Sequence, residues 1–69
     1  MEIKLEGEEF ILLQSLLQVS GLCDTGGEAK HAITEGKVKV DGETEIRRGK
    51  KIRAGQVISF KGKTIQVVA

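Results

Sequence analysis

The run Arg47-Arg-Gly-Lys-Lys-Ile-Arg53 puts five bases into seven residues. Guanidinium and ammonium groups at that density suit phosphate oxygens, which accept charge-assisted hydrogen bonds. A charge run is commonly just a solvated loop, so the rest of the chain decides. From Arg47 to Lys63 there are seven bases and no acid. Residues 1–28 hold one base and six acids, whereas residues 29–69 hold ten bases and four acids. The overall charge of +1 therefore hides a one-sided basic field, which points to a polyanionic partner. Lys30, Lys37 and Lys39 lie on segments able to join the same side. If four to six of these cations meet phosphates, log K falls against log salt with a slope of about −3 to −5.

Other chemistry has little to work with. Cys23 is the only cysteine and His31 the only histidine, so neither a disulfide nor a four-ligand zinc site is available within the chain. Asp24 beside Cys23 raises the thiol pKa, and no third group orients His31 as a base. Cys23 reads as a small packed residue and His31 as a solvated one; no catalytic residue, metal site or cofactor is expected. Gly26-Gly27 admits two readings. Thr25, Gly26 and Gly27 can open a helix whose free amides and missing side chains admit a phosphate. Alternatively Thr25 and Glu28 cap those amides and the glycines let two helices approach, which is the stronger reading. No Gly-Lys-Ser/Thr follows, so this is not a nucleotide P-loop.

The elements that must carry these residues follow from periodicity. Glu2-Ile-Lys-Leu5 alternates and predicts a short strand. Residues 9–19 predict a first helix, with Phe10, Leu12, Leu13, Leu16 and Leu17 on one broad face and Gly21 as its stop. Thr25-Gly-Gly-Glu28 is a capping-box pattern that starts a second helix, with Ala29, Ala32 and Ile33 as its apolar stripe, ending near Glu35 before Gly36. From Lys37 the period becomes two. Lys37–Val40 and Glu43–Ile46 flank Asp41-Gly42 as a hairpin, with Val38, Val40, Thr44 and Ile46 expected toward the helices. Gln56–Phe60 and Thr64–Val68 form a second hairpin over Lys61-Gly62-Lys63. The fold class is α+β: two short helices on a small, bent, mainly antiparallel sheet of four to five strands, one domain over residues 1–69.

Scarcity of aromatics narrows the polyanion. Only Phe10 and Phe60 are present, both on expected apolar faces, so single-strand binding by base stacking is poorly supplied. The second helix exposes Lys30, His31, Thr34 and Glu35, not the Arg, Asn or Gln that read a DNA major groove. Structured RNA, read by backbone and shape, fits best.

The stretch from Leu13 to Gly42 resembles the S-four-like RNA-binding domain, also called the αL motif. Its landmarks here are Leu13, Leu17, Gly21-Leu22, Thr25, Glu28-Ala29-Lys30, Ile33, Gly36, Val38, Val40 and Asp41-Gly42, with Lys51-Ile52 and Gly55-Gln-Val-Ile58 as a closing segment. The resemblance covers about residues 10–60. The Gly-Gly-Glu-Ala-Lys and Gly-Lys-Val-Lys-Val-Asp-Gly runs look most similar to the small stand-alone bacterial, YbcJ-like subgroup. The resemblance implies RNA bound across the second helix and neighbouring loop, with Lys30 and Lys37 as contacts. Arg47, Arg48, Lys50 and Lys51 match the basic loop. The chain departs from the family at Gly26 and Leu12, where many members carry Arg.

The expected function is non-enzymatic binding of structured RNA, ribosomal or precursor, through Lys30, Lys37, Lys39, Arg47, Arg48, Lys50, Lys51 and Arg53. Ribosome or RNA-processing proteins are candidate partners, and a monomer is expected. The acidic N-terminus does not resemble a signal peptide, and the apolar run 10–19 is too short to span a bilayer, so no membrane partner is expected. A lone thiol suits the cytoplasm. The competing reading is a protein-interaction or dimer module that uses the broad apolar face of the first helix, with Ile11 and Leu12 at its edges.

Overall fold

Two tight turns organise the sheet. Asp41 and Gly42 both take positive φ, 51° and 85°, as do Lys61 and Gly62 at 52° and 76°. Two left-handed residues in succession make the turn whose twist matches a two-residue hairpin. The computed structural model describes residues 1–69. In chain order the elements are β1 (Glu2–Lys4), β2 (Ile11–Leu12), α1 (Leu13–Val19), α2 (Gly26–Thr34), β3 (Val38–Val40), β4 (Glu43–Thr44), β5 (Lys51–Ile52), β6 (Val57–Phe60) and β7 (Lys63–Val68). Five strands form one sheet in the order β1-β7-β6-β3-β4, and β2 pairs with β5 in a second, two-stranded sheet. All pairings are antiparallel except β1 with β7. The expected α+β architecture of two helices on a small, mainly antiparallel sheet is what the chain forms.

One face of the large sheet is dry. Val38, Val40, Ile58, Phe60, Ile65 and Val67 point to the helices and meet Leu13, Leu16, Leu17, Ala29, Ala32 and Ile33; Leu5, Cys23 and Ile52 complete a core of 15 buried residues. No polar or charged residue is buried. The alternate residues Lys39, Thr64 and Gln66 stay exposed, so the opposite face is wet, as antiparallel sheets allow.

Three local expectations are corrected. The first helix does not span 9–19. It starts at Leu13, because Ile11 and Leu12 pair as a strand with Ile52 and Lys51. Phe10 is consequently half-buried outside the helix, and Leu12 is 40% exposed rather than part of a core face. Val38 and Val40 face the core as expected, but the face of the hairpin's second strand is inverted. The two-residue turn sets Lys39 opposite Thr44 and Val40 opposite Glu43, so Thr44 shares the wet face of Lys39. β4 ends at Thr44, and Ile46 is 60% exposed beyond it. Finally, the second hairpin turns at Lys61-Gly62, with Lys63 already in β7 and opposite Phe60.

Candidate nucleic-acid interface

The basic loop is held by its own backbone. The first-turn amides of α1 lack a side-chain cap. Instead the N–H of Leu13 donates to the carbonyl of Lys50 at 2.9 Å, and that of Gln14 to the carbonyl of Arg48 at 3.2 Å. These bonds satisfy orphan helix donors and the loop's carbonyls together. Pairing of β2 with β5 fixes Lys51 and Ile52, and Ile52 is fully buried. The far end is tied through Asp41. Its carboxylate accepts from the N–H of Val57 at 2.9 Å and from Nε2 of Gln56 at 3.2 Å, and Oε1 of Gln56 accepts from the N–H of Arg53 at 2.8 Å. The hydrogen bond from the Val57 amide, followed by that from Gln56, holds the Asp41 carboxyl below its ordinary pKa.

The side chains on this frame differ in how free they are. Arg47, Lys50, Lys51 and Arg53 line one open depression with Gly49, and no acid belongs to it. Arg47 nevertheless leans on Glu45, with Nε 3.0 Å from Oε2 and Nη2 3.2 Å from Oε1. That fork lowers the Glu45 pKa and raises that of Arg47. Glu45 precedes the acid-free stretch in the sequence, and it folds back onto it. Lys50 is half-buried and borders a neighbouring, mixed-charge depression that includes Asp41, Glu43 and Glu45. Lys51 and Arg53 stand over the ring of Phe10, with Nζ 5.0 Å and Cζ 5.7 Å from its centroid. A ring face attracts cations electrostatically, so Phe10 anchors both heads. Arg48 is exposed and makes no ion pair.

The other predicted cations lie elsewhere. Lys37 and Lys39 line a separate depression with Ser59, Phe60, Lys61 and Gly62. Lys61, which the sequence did not single out, stands with Nζ 5.2 Å from the Phe60 centroid. The long-range pairing of β3 with β6, which sets Val38 opposite Phe60, carries the Lys61 turn to Lys37. Lys30 is exposed on α2 and lines neither depression.

At the start of α2, Oγ1 of Thr25 accepts from the N–H of Glu28 at 3.1 Å, which is half of the capping box. A Cβ on Gly26 would lie 3.1 Å from Nε2 of Gln14, the same nitrogen that donates to the Gly26 carbonyl at 3.2 Å. Close approach of α1 and α2 therefore accounts for Gly26. Gly27 has open space, its nearest neighbour being Oγ1 of Thr25 at 3.9 Å. Cys23 is buried, and burial, then the charge of Glu28, pushes its thiol pKa up. His31 is exposed, with Nε2 3.1 Å from Glu35. Across β2 and α1 the apolar residues left exposed are Leu12 and Val19, because Leu13, Leu16 and Leu17 are consumed by the core and Ile11 packs against it.

The fold has counterparts among known proteins. The model of the S4 domain family matches residues 3–68. The chain belongs to that family. Within the S4 domains it is 53% identical over 57 residues to YbcJ of Escherichia coli, covering 83% of this chain and 81% of that one. It is 35% identical over 54 residues to RlbA of Bacillus subtilis, named a probable ribosome maturation protein, covering 78% and 76%. The solution structure of YbcJ from E. coli, described as revealing an αL motif involved in RNA binding, superposes with a TM-score of 0.77 at 46% identity. That match spans 99% of this chain and 86% of the other. This S4 domain thus shares the αL architecture that its sequence landmarks implied.

Proposed function

We propose that this protein binds structured RNA, ribosomal RNA or a precursor of it, without catalysing a reaction. One observation carries the reading: Arg47, Lys50, Lys51 and Arg53 converge on one acid-free depression whose backbone is fixed before any ligand arrives. A fixed array of cations meets a folded phosphate backbone without first losing side-chain and loop entropy. Arg48 adds an unpaired guanidinium beside it, and Lys30, Lys37 and Lys39 supply further cations outside that depression. The similarity to YbcJ and RlbA supports the same reading. The protein acts as one S4 domain over residues 1–69, as a cytoplasmic monomer, with ribosome or RNA-processing proteins nearby when it is bound. No helix is long and apolar enough to cross a membrane.

Anisotropy titrations of hairpin RNA, single-stranded RNA and duplex DNA at two salt concentrations test this. Hairpin RNA binds tightest, and Arg48→Gln/Lys51→Gln/Arg53→Gln weakens it with the fold retained by circular dichroism. Three lost phosphate contacts make the slope of log K against log salt shallower by about 2 to 3. Equal binding of all three polymers, or an unchanged slope in the variant, contradicts the proposal.

A further inference from the structure

Two groups of cations lie toward opposite ends of strand β3, with Lys39 on the strand itself and Lys30 in neither group. At one end of β3, Asp41 ties the hairpin to Gln56 and the basic loop. At the other end Lys37 enters the strand, and the pairing of Val38 with Phe60 brings the Lys61 turn alongside. Residues 37 to 41 are four steps of extended chain, so Lys37 stands about 13 Å along the backbone from the Asp41 tie. The two depressions share no residue.

The second group is built as a site in its own right. Lys37, Lys39 and Lys61 surround Ser59, and no acid lines the depression. None of the three ammonium groups makes an ion pair; the molecule's two pairs are His31–Glu35 and Arg47–Glu45. Three like charges are thus brought together with nothing on the protein to neutralise them. Two of the three are anchored. Lys39 projects from a strand paired on both sides, opposite Thr44 and Ser59. Lys61 is the first residue of a left-handed turn, and its head rests over the buried Phe60 ring at 5.2 Å. The hydroxyl of Ser59 adds a neutral donor among the three cations.

We propose that Lys37, Lys39 and Lys61 form a second phosphodiester-binding site, which engages a different stretch of the same RNA from the one held by loop 47–53. This rests on the RNA-binding reading above and deepens it. Linking two sites on one rigid body makes the second contact intramolecular, so avidity needs an RNA long enough to reach both. A hairpin whose backbone spans the molecule gains from both sites, whereas an oligonucleotide of two or three residues engages one at a time.

The test compares the wild type with Lys37→Gln/Lys39→Gln/Lys61→Gln and with Arg48→Gln/Lys51→Gln/Arg53→Gln. The three positions of the first variant are exposed, so the fold is retained and is checked by circular dichroism. For a hairpin RNA, the first variant makes the salt slope shallower by about 2 to 3 and weakens binding at low salt at least tenfold. Binding of a trinucleotide changes far less than binding of the hairpin. If that variant keeps the wild-type affinity and slope while the loop variant loses both, the second site is refuted and the RNA-binding reading stands. If the wild type binds no RNA in a salt-dependent way, both fall.

Discussion

Replacing Phe10 by Leu separates how many charges the loop carries from how well they are placed. The Phe10 ring lies 5.0 Å from the Lys51 ammonium and 5.7 Å from the Arg53 guanidinium. Each such contact is worth about 0.5–1 kcal/mol at an exposed site, so the pair contributes roughly 1–2 kcal/mol. For a chain of this size that corresponds to a fall in Tm of roughly 4–16 °C. Leu keeps an apolar side chain where Phe10 is half-buried, so the backbone pairing of Ile11 with Ile52 survives. The number of cations is unchanged, and so is the slope of log K against log salt. Affinity for hairpin RNA nonetheless falls, because two long side chains must now be ordered on binding at about 0.5–1.5 kcal/mol each. The expected loss is on the order of 5- to 150-fold, read by anisotropy at fixed salt. Wild-type affinity in Phe10→Leu would refute the argument that the ring pre-places the cations. Tighter binding would show that the ring withholds them.

Other perturbations probe the frame around the site. The folded pKa values of Asp41 and Glu45 are both depressed, by hydrogen bonds from the Val57 amide and from Arg47 respectively. Their stabilisation is complete above the ordinary carboxylate range and is lost as pH falls through the depressed values, so Tm drops in acid. Asp41→Asn lowers Tm at neutral pH and flattens that acid limb; an unaltered pH profile would contradict the assigned bonds. Gly42, at φ 85°, has open space for a side chain but a backbone that L-residues avoid, so Gly42→Val costs about 1–2 kcal/mol or more in urea denaturation. Gly27→Ala, in open space within α2, is stabilising by up to about 1 kcal/mol on the same measurement. Iodoacetamide leaves Cys23 unmodified in the folded protein and labels it after unfolding, because the thiol is buried and its pKa is raised; rapid native labelling is the contrary result.

Much of the scaffold is legible locally. Thr25 and Gly36 bracket α2, and Asp41-Gly42 announces a hairpin, because caps and left-handed turns are written in adjacent residues. The start of α1 is not local. Ile11 and Leu12 sit in a leucine-rich pattern that suits a helix equally well. Strand pairing with residues 51–52, and amide bonds to carbonyls 48 and 50, decide otherwise. The basic loop was visible as composition, but its inequalities were not. Glu45 forks onto Arg47 two residues on, which no sequence pattern marks, and Phe10 reaches Lys51 and Arg53 only after the chain has folded. Lys61 was missed because an isolated base in a turn carries no pattern of its own; its meaning comes from the strand register that sets it beside Lys37. The inverted face of Thr44 was recoverable, since a two-residue turn fixes which residues oppose one another.

The most direct measurement is a map of backbone amide shifts during titration with hairpin RNA. The account predicts that perturbed amides concentrate in residues 47–53, with a second cluster at residues 37–39 and 59–62, while β1 and the acidic residues Glu6, Glu8 and Glu9 stay silent. Shifts centred instead on Leu12 and Val19 of the α1 region, or spread evenly around the molecule, would contradict it.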